Sequence, residues 1–124
     1  MADSILQHKS FKFALRILKL HKHFVEVKKE YTLSKQIYRS GMSIGANIFE
    51  STQAESRADF IHKLSIARKE AVETSYWLLL FKEGNVLTAA ESNSLIKDCD
   101  ELERLLTSSM KTAKSNEAKK RSKP

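Results

Sequence analysis

Glu70 and Glu73 stand three residues apart in the run KEAVET, so a helix through that run places both carboxylates on one side. Two carboxyl groups that close could divide general acid and general base work between them. The rest of the chain supplies nothing for them to act on. No phosphate loop, Gly-x-Ser-x-Gly elbow or dinucleotide fingerprint occurs. The four histidines, His8, His21, His23 and His62, include no Glu-x-x-His of the kind that di-metal bundles need. Cys99 falls on an apolar line and reads as a packed, inert thiol. The expectation is therefore no catalytic residue, no metal and no cofactor. Glu70 and Glu73 read instead as halves of a structural polar link, with Arg39 or Asn47 as the partner that fixes helix register.

A second arrangement suits binding. Lys9, Lys12, Arg16, Lys19 and His23 project within about 80° of one helix side, along roughly 20 Å at 1.5 Å per residue. That is a track for a phosphate backbone. Lys119, Lys120 and Arg121 near the C-terminus add to it. No aromatic residue interrupts the stripe, so backbone recognition with weak base preference is the expected mode. The competing reading is a solvated basic face.

These groups need elements to hold them. The 124 residues suffice for one domain, and one proline, three glycines and 30% charged residues favour helices. A lone cysteine and the absence of a long apolar run point to a reduced, cytoplasmic protein with no membrane segment. The net charge of +7 is uneven: residues 1–30 hold seven Lys/Arg against three acids, residues 84–110 two against five, and residues 111–124 six against one. Helical periodicity recurs over about 5–29, 33–53, 57–83 and 89–114. Ser56 with Asp59 and Thr88 with Glu91 read as capping boxes, and Gly84-Asn85 as a helix stop. Short links between long helices predict an all-α, up-down-up-down antiparallel four-helix bundle over 1–114, with 115–124 a disordered basic tail.

The apolar residues exceed what one core needs. The first helix carries two opposed lines, Phe11/Ala14/Leu15/Leu18/Val25, assigned to the core, and Phe13/Ile17/Leu20/Phe24. Tyr38, Met42 and Phe49 lie off the Leu33/Ile37/Ile44/Ile48 line of the second helix, and Trp77 lies behind the core line of the third. Such surplus predicts a homo-oligomer. Gly41 and Gly45, four apart in GMSIGANIFE, cost a helix about 1 kcal/mol each relative to alanine. Close approach of another helix, in the same bundle or a neighbouring subunit, offsets that cost.

The stretch from Leu33 to Glu83 resembles a family of four-helix-bundle proteins encoded by intervening sequences in bacterial 23S ribosomal RNA genes. The likeness rests on Arg39-Ser40, on Ser43-Ile44-Gly45-Ala46-Asn47, on Ser56 with Asp59-Phe60, and on Lys69-Glu70-Ala71 with Glu73-Thr74. It implies a homopentamer, a number that periodicity alone does not give, and it brings no catalytic residue. In architecture, though not in motif, it is similar to accessory proteins of diversity-generating retroelements, which bind nucleic acid and a reverse transcriptase. The functional expectation is a non-enzymatic oligomer that binds nucleic acid, ribosomal RNA being the first candidate. The alternative is a protein-interaction or structural module, with a protein partner and a charge that only aids solubility.

Overall fold

The computed structural model describes residues 4–122, with side chains through Lys120. Four helices make up nearly all of it: α1 (Ser4–His23), α2 (Thr32–Ser51), α3 (Arg57–Glu83) and α4 (Ala89–Ser122). They pack in chain order, α1 on α2, α2 on α3 and α3 on α4, and a lighter contact between α4 and α1 closes the four-helix bundle.

The helix ends follow local chemistry. After α1 the chain widens into a π-helical turn, Phe24–Lys28, and stops at Lys29, whose φ of 56° is left-handed. Glu30 then caps α2: its carboxylate accepts the Leu33 N–H at 2.8 Å. At α3, Ser56 Oγ accepts the Asp59 N–H at 3.0 Å, while the Asp59 carboxylate reaches back to the Glu55 N–H at 3.2 Å. Thr88 and Glu91 cap α4 reciprocally, each bond 3.1 Å. The stop after α3 is a Schellman turn in which Val86 N–H donates to Phe81 O at 2.8 Å. Its left-handed residue is Asn85 (φ 59°), not Gly84 (φ −85°).

The expected core lines hold on three helices. Ile37, Ile44 and Ile48 of α2, Phe60, Leu64, Ala67, Ala71 and Leu78 of α3, and Leu95, Cys99, Leu102, Leu106 and Met110 of α4 are buried together. On α1 the two lines are exchanged. Phe13, Ile17 and Phe24 are core residues and Leu20 packs against them, whereas Phe11 is 66% exposed and Leu15 43%. Tyr38, Met42 and Trp77 are half-buried against the same core, and only Phe49, 72% exposed, lies well outside it.

The C-terminal region also differs from expectation. Instead of a disordered tail from residue 115, α4 runs on through Ser122. Ala113 is buried, and Glu117 forms an ion pair with Arg57 at 3.5 Å, so the helix is anchored beyond its last large apolar residue. Residues 123–124 lie outside the described residues.

The two glycines bring α1 and α2 together. A β-carbon on Gly41 would stand 2.8–3.0 Å from three side-chain carbons of the fully buried Ile17. One on Gly45 would stand 3.4 Å from the Ser10 carbonyl oxygen and 3.8 Å from the Ala14 β-carbon, ordinary contact distances. The sites should therefore respond differently. Gly41→Ala should destabilise by about 1–3 kcal/mol, because overpacking Ile17 outweighs the gain in helix propensity. Gly45→Ala should be neutral or stabilise by up to about 1 kcal/mol, while the larger Gly45→Leu should drive the helices apart. Urea denaturation of the three variants tests this ordering; an equally tolerated Gly41→Ala would refute the close approach.

Candidate functional site

The basic stripe of α1 meets the acidic stretch of α4. Lys9 Nζ lies 3.0 Å from Glu101 Oε1, and Arg16 lies 2.6 Å from Asp98 Oδ2 while also donating to Ser94 Oγ at 3.0 Å. These side chains are about 40% exposed, so each pair contributes roughly 0–1 kcal/mol. Their larger effect is to engage two cations of the stripe with protein carboxylates. Lys12, Lys19 and His23 remain exposed beside them. Lys119 and Lys120 are exposed on the last turns of α4, far along the helix from the stripe's partners, and Arg121 lies outside the described side chains. The expected site residues thus form a seam and two separate basic regions rather than one continuous track.

The carboxylate pair is held by its neighbours. Arg39 donates to Glu70 at 3.2 Å and also to Glu73, and Trp77 Nε1 donates to Glu73 at 3.1 Å. These bonds join α2 to α3 on the outer side of a buried contact in which Thr74 Oγ1 donates to Ser40 Oγ at 2.9 Å. The Trp77 and Arg39 hydrogen bonds hold the Glu73 carboxyl below the usual carboxylate range, and Glu73 in turn raises the Arg39 guanidinium. A carboxylate so tied is a poor proton acceptor. Asn47 takes no part, because its amide donates to Ser43 O at 2.9 Å within its own helix.

Other reactive groups are absorbed by packing. Cys99 is fully buried, donates to Ala71 O at 3.3 Å, and burial pushes its thiol up to about 12. A link that sequence reasoning missed joins His21 to α2. Its ring stacks on Tyr38 with centroids 4.1 Å apart, and its Nδ1 lies 2.6 Å from Oγ of the buried Ser34. Nothing in the spacing of His21 and Ser34 marks that contact. Among the described residues no three His, Cys, Asp or Glu side chains gather as a metal site, and no helix is long and apolar enough to cross a membrane.

Two apolar surface features stand out among the described residues. Between α1 and α2 lies an apolar groove of about 390 Å³ lined by Phe11, Ala14, Met42, Gly45, Ala46 and Phe49. On α3, Val72, Tyr76, Leu79 and Leu80 form an exposed apolar strip.

The Arg39 link generates a pH prediction. A carboxyl group whose pKa is lowered by folding stabilises the fold above its unfolded value of about 4.3. That contribution disappears as pH falls through the lower, folded value. Melting temperatures of wild type and Glu73→Gln should therefore converge between about pH 5 and about pH 2. At neutral pH the gap should be under about 1 kcal/mol, since these groups are a third to a half exposed. A gap that is constant with pH would show that the carboxylate charge contributes nothing.

Residues 2–108 match the family model described as 23S rRNA-intervening sequence protein. No curated protein matches the chain. Among solved structures, a protein of unknown function from the S23 ribosomal protein family of Bacteroides thetaiotaomicron is similar, at 50% sequence identity and a TM-score of 0.86. The likeness covers 90% of this chain and 99% of that one. With the family model spanning nearly the whole four-helix bundle, the chain belongs to the 23S rRNA-intervening sequence protein family.

Proposed function

We propose that this protein is a non-enzymatic, self-associating helical module of the cytoplasm that binds nucleic acid through its basic surface. The observation that carries the reading is the fate of its charged and reactive groups. Glu70, Glu73 and Cys99 are tied into packing, while the net charge is +7 and several cations, among them Arg104 and Lys111, stand exposed without an ion pair among the described residues. A surface of that kind attracts polyanions and releases their counterions on binding. The family's description ties its members to ribosomal RNA genes, which makes RNA the first polymer to test. A free buried thiol is consistent with a reducing compartment.

Self-association is supported by the exposed apolar groups. Phe11 and Phe49 flank the α1/α2 groove at 66% and 72% exposure, and the α3 strip lies on a different face. Two unlike patches suit head-to-tail contact, which closes into a ring when the rotation allows. A pentamer is the number that the family resemblance implies.

Two measurements test the reading together. Light scattering should give a mass several times the 14.2 kDa of one chain, about fivefold for a pentamer, and Phe11→Asp with Phe49→Asp should reduce it towards one chain while the helical circular-dichroism signal persists. In the same buffers, single-stranded RNA should bind with an affinity that falls steeply with salt. A wild-type protein that stays at one chain mass would end the assembly proposal. Failure to bind RNA at low salt would end the nucleic-acid proposal and leave a protein-interaction module.

A further inference from the structure

The groove between α3 and α4 gathers three cations against one lining carboxylate, and none of the three is ion-paired among the described residues. Arg68 of α3 and Arg104 and Lys111 of α4 line an open cleft of about 500 Å³, with Thr107 and Ser108 between them. All three cations are exposed, and none forms an ion pair among the described residues. One acid lines the cleft, Glu103, and its carboxylate accepts a hydrogen bond from Ser75 Oγ at 2.9 Å. Asp100, one turn before Arg104, makes no ion pair with it. Of the other cavities, the one beside Ser56 holds two cations, but there Arg57 is already paired with Glu117. The α1 stripe has likewise given Lys9 and Arg16 to α4.

We infer that the α3/α4 groove is the principal nucleic-acid contact, holding the phosphate backbone of an RNA or DNA strand on Arg68, Arg104 and Lys111. This rests on the reading above that the protein binds nucleic acid, and it moves the contact away from α1. Two guanidinium groups offer the planar forks that phosphate oxygens accept, and Lys111 adds a point charge. Arg104 and Lys111 are two turns apart, about 10 Å along α4, so the cations follow the groove rather than crowding one point. Ser108 supplies a hydroxyl group at the level between them, whereas the Thr107 hydroxyl donates to Glu103 O at 2.9 Å. No aromatic side chain lines the cleft, so bases are not stacked and recognition is of the backbone. The same lining has no large apolar residue to anchor an acidic protein segment, which favours a polynucleotide over a peptide.

The test compares Arg104→Gln with Lys111→Gln against Lys12→Gln with Lys19→Gln, using fluorescence anisotropy of a single-stranded RNA oligomer across a salt series. All four positions are exposed, and circular dichroism checks that both double variants fold. The α4 variant should bind at least about tenfold more weakly at moderate salt, and its log affinity against log salt should be shallower by about 1.4. The α1 variant should change by less than about threefold. Wild-type binding with an α4 variant indistinguishable from it, or with equal losses in both variants, would overturn this site while leaving nucleic-acid binding intact. A wild type that binds no RNA would overturn both. Polyglutamate binding that the α4 variant abolishes, with no RNA binding, would assign the groove to an acidic protein instead.

Discussion

The close approach of α1 to α2 sets the surfaces of this bundle. Ile17 occupies the space that a β-carbon on Gly41 would need, and the Ser10 carbonyl lies next to Gly45. That contact fixes the rotation of α1 about its axis. With Ile17 turned against α2 and the core, Phe13 and Phe24 follow it inward at the same helical phase, and Phe11 and Leu15 are carried outward. The same rotation points Lys9 and Arg16 at α4, where Glu101 and Asp98 meet them. An apolar groove, a core and an ion-pair seam therefore depend on one glycine–isoleucine contact.

This explains which parts of the fold were legible in the sequence. On α4 a single apolar line follows a cap of defined chemistry, and on α3 the core line follows another although further apolar residues lie behind it; both core lines and the Ser56 and Thr88 caps occur as their residues suggest. On α1, two opposed lines satisfy the helical period equally well, and periodicity carries no information about absolute rotation. The discriminating signals lay elsewhere. Small residues at Ser10 and Ala14 match the glycines of α2, and the bases of α1 match the acids of the 84–110 segment in antiparallel order. Reading the C-terminal residues by composition alone missed that a helix with a paired Glu117 and a buried Ala113 continues readily past its last large apolar side chain.

The polar constellations were legible as residue types but not as assignments. Arg39, Glu70 and Glu73 do stand together across α2 and α3, and the geometry adds Trp77, whose indole a helix-wheel argument had placed only among apolar groups. Asn47 had an equal claim by position and bonds within its own helix instead. Which of two neighbouring polar side chains crosses to the next helix depends on reach and on where the partner's backbone lies. Sequence spacing holds neither. The α3/α4 groove was less legible still, since Arg68 is thirty-six residues from Arg104 and only the packing of the two helices makes them neighbours.

The arrangement of the two open surfaces bears on how a weakly selective binder could act. Because the helices pack in chain order, the α1/α2 groove and the α3/α4 groove lie on opposite faces of the bundle. A second copy seated on Phe11 and Phe49 therefore need not cover Arg68, Arg104 and Lys111. Each added subunit would then repeat the same cationic groove. A single groove of three cations binds a phosphate backbone feebly at physiological salt, since the counterion release that drives each contact gains less as salt rises. Several grooves on one assembly turn later contacts into intramolecular events, at effective concentrations that one bundle cannot reach. Assembly through apolar contacts and affinity through charge would thus be coupled without sharing a residue, and a protein that reads no bases could still hold a long polyanion firmly.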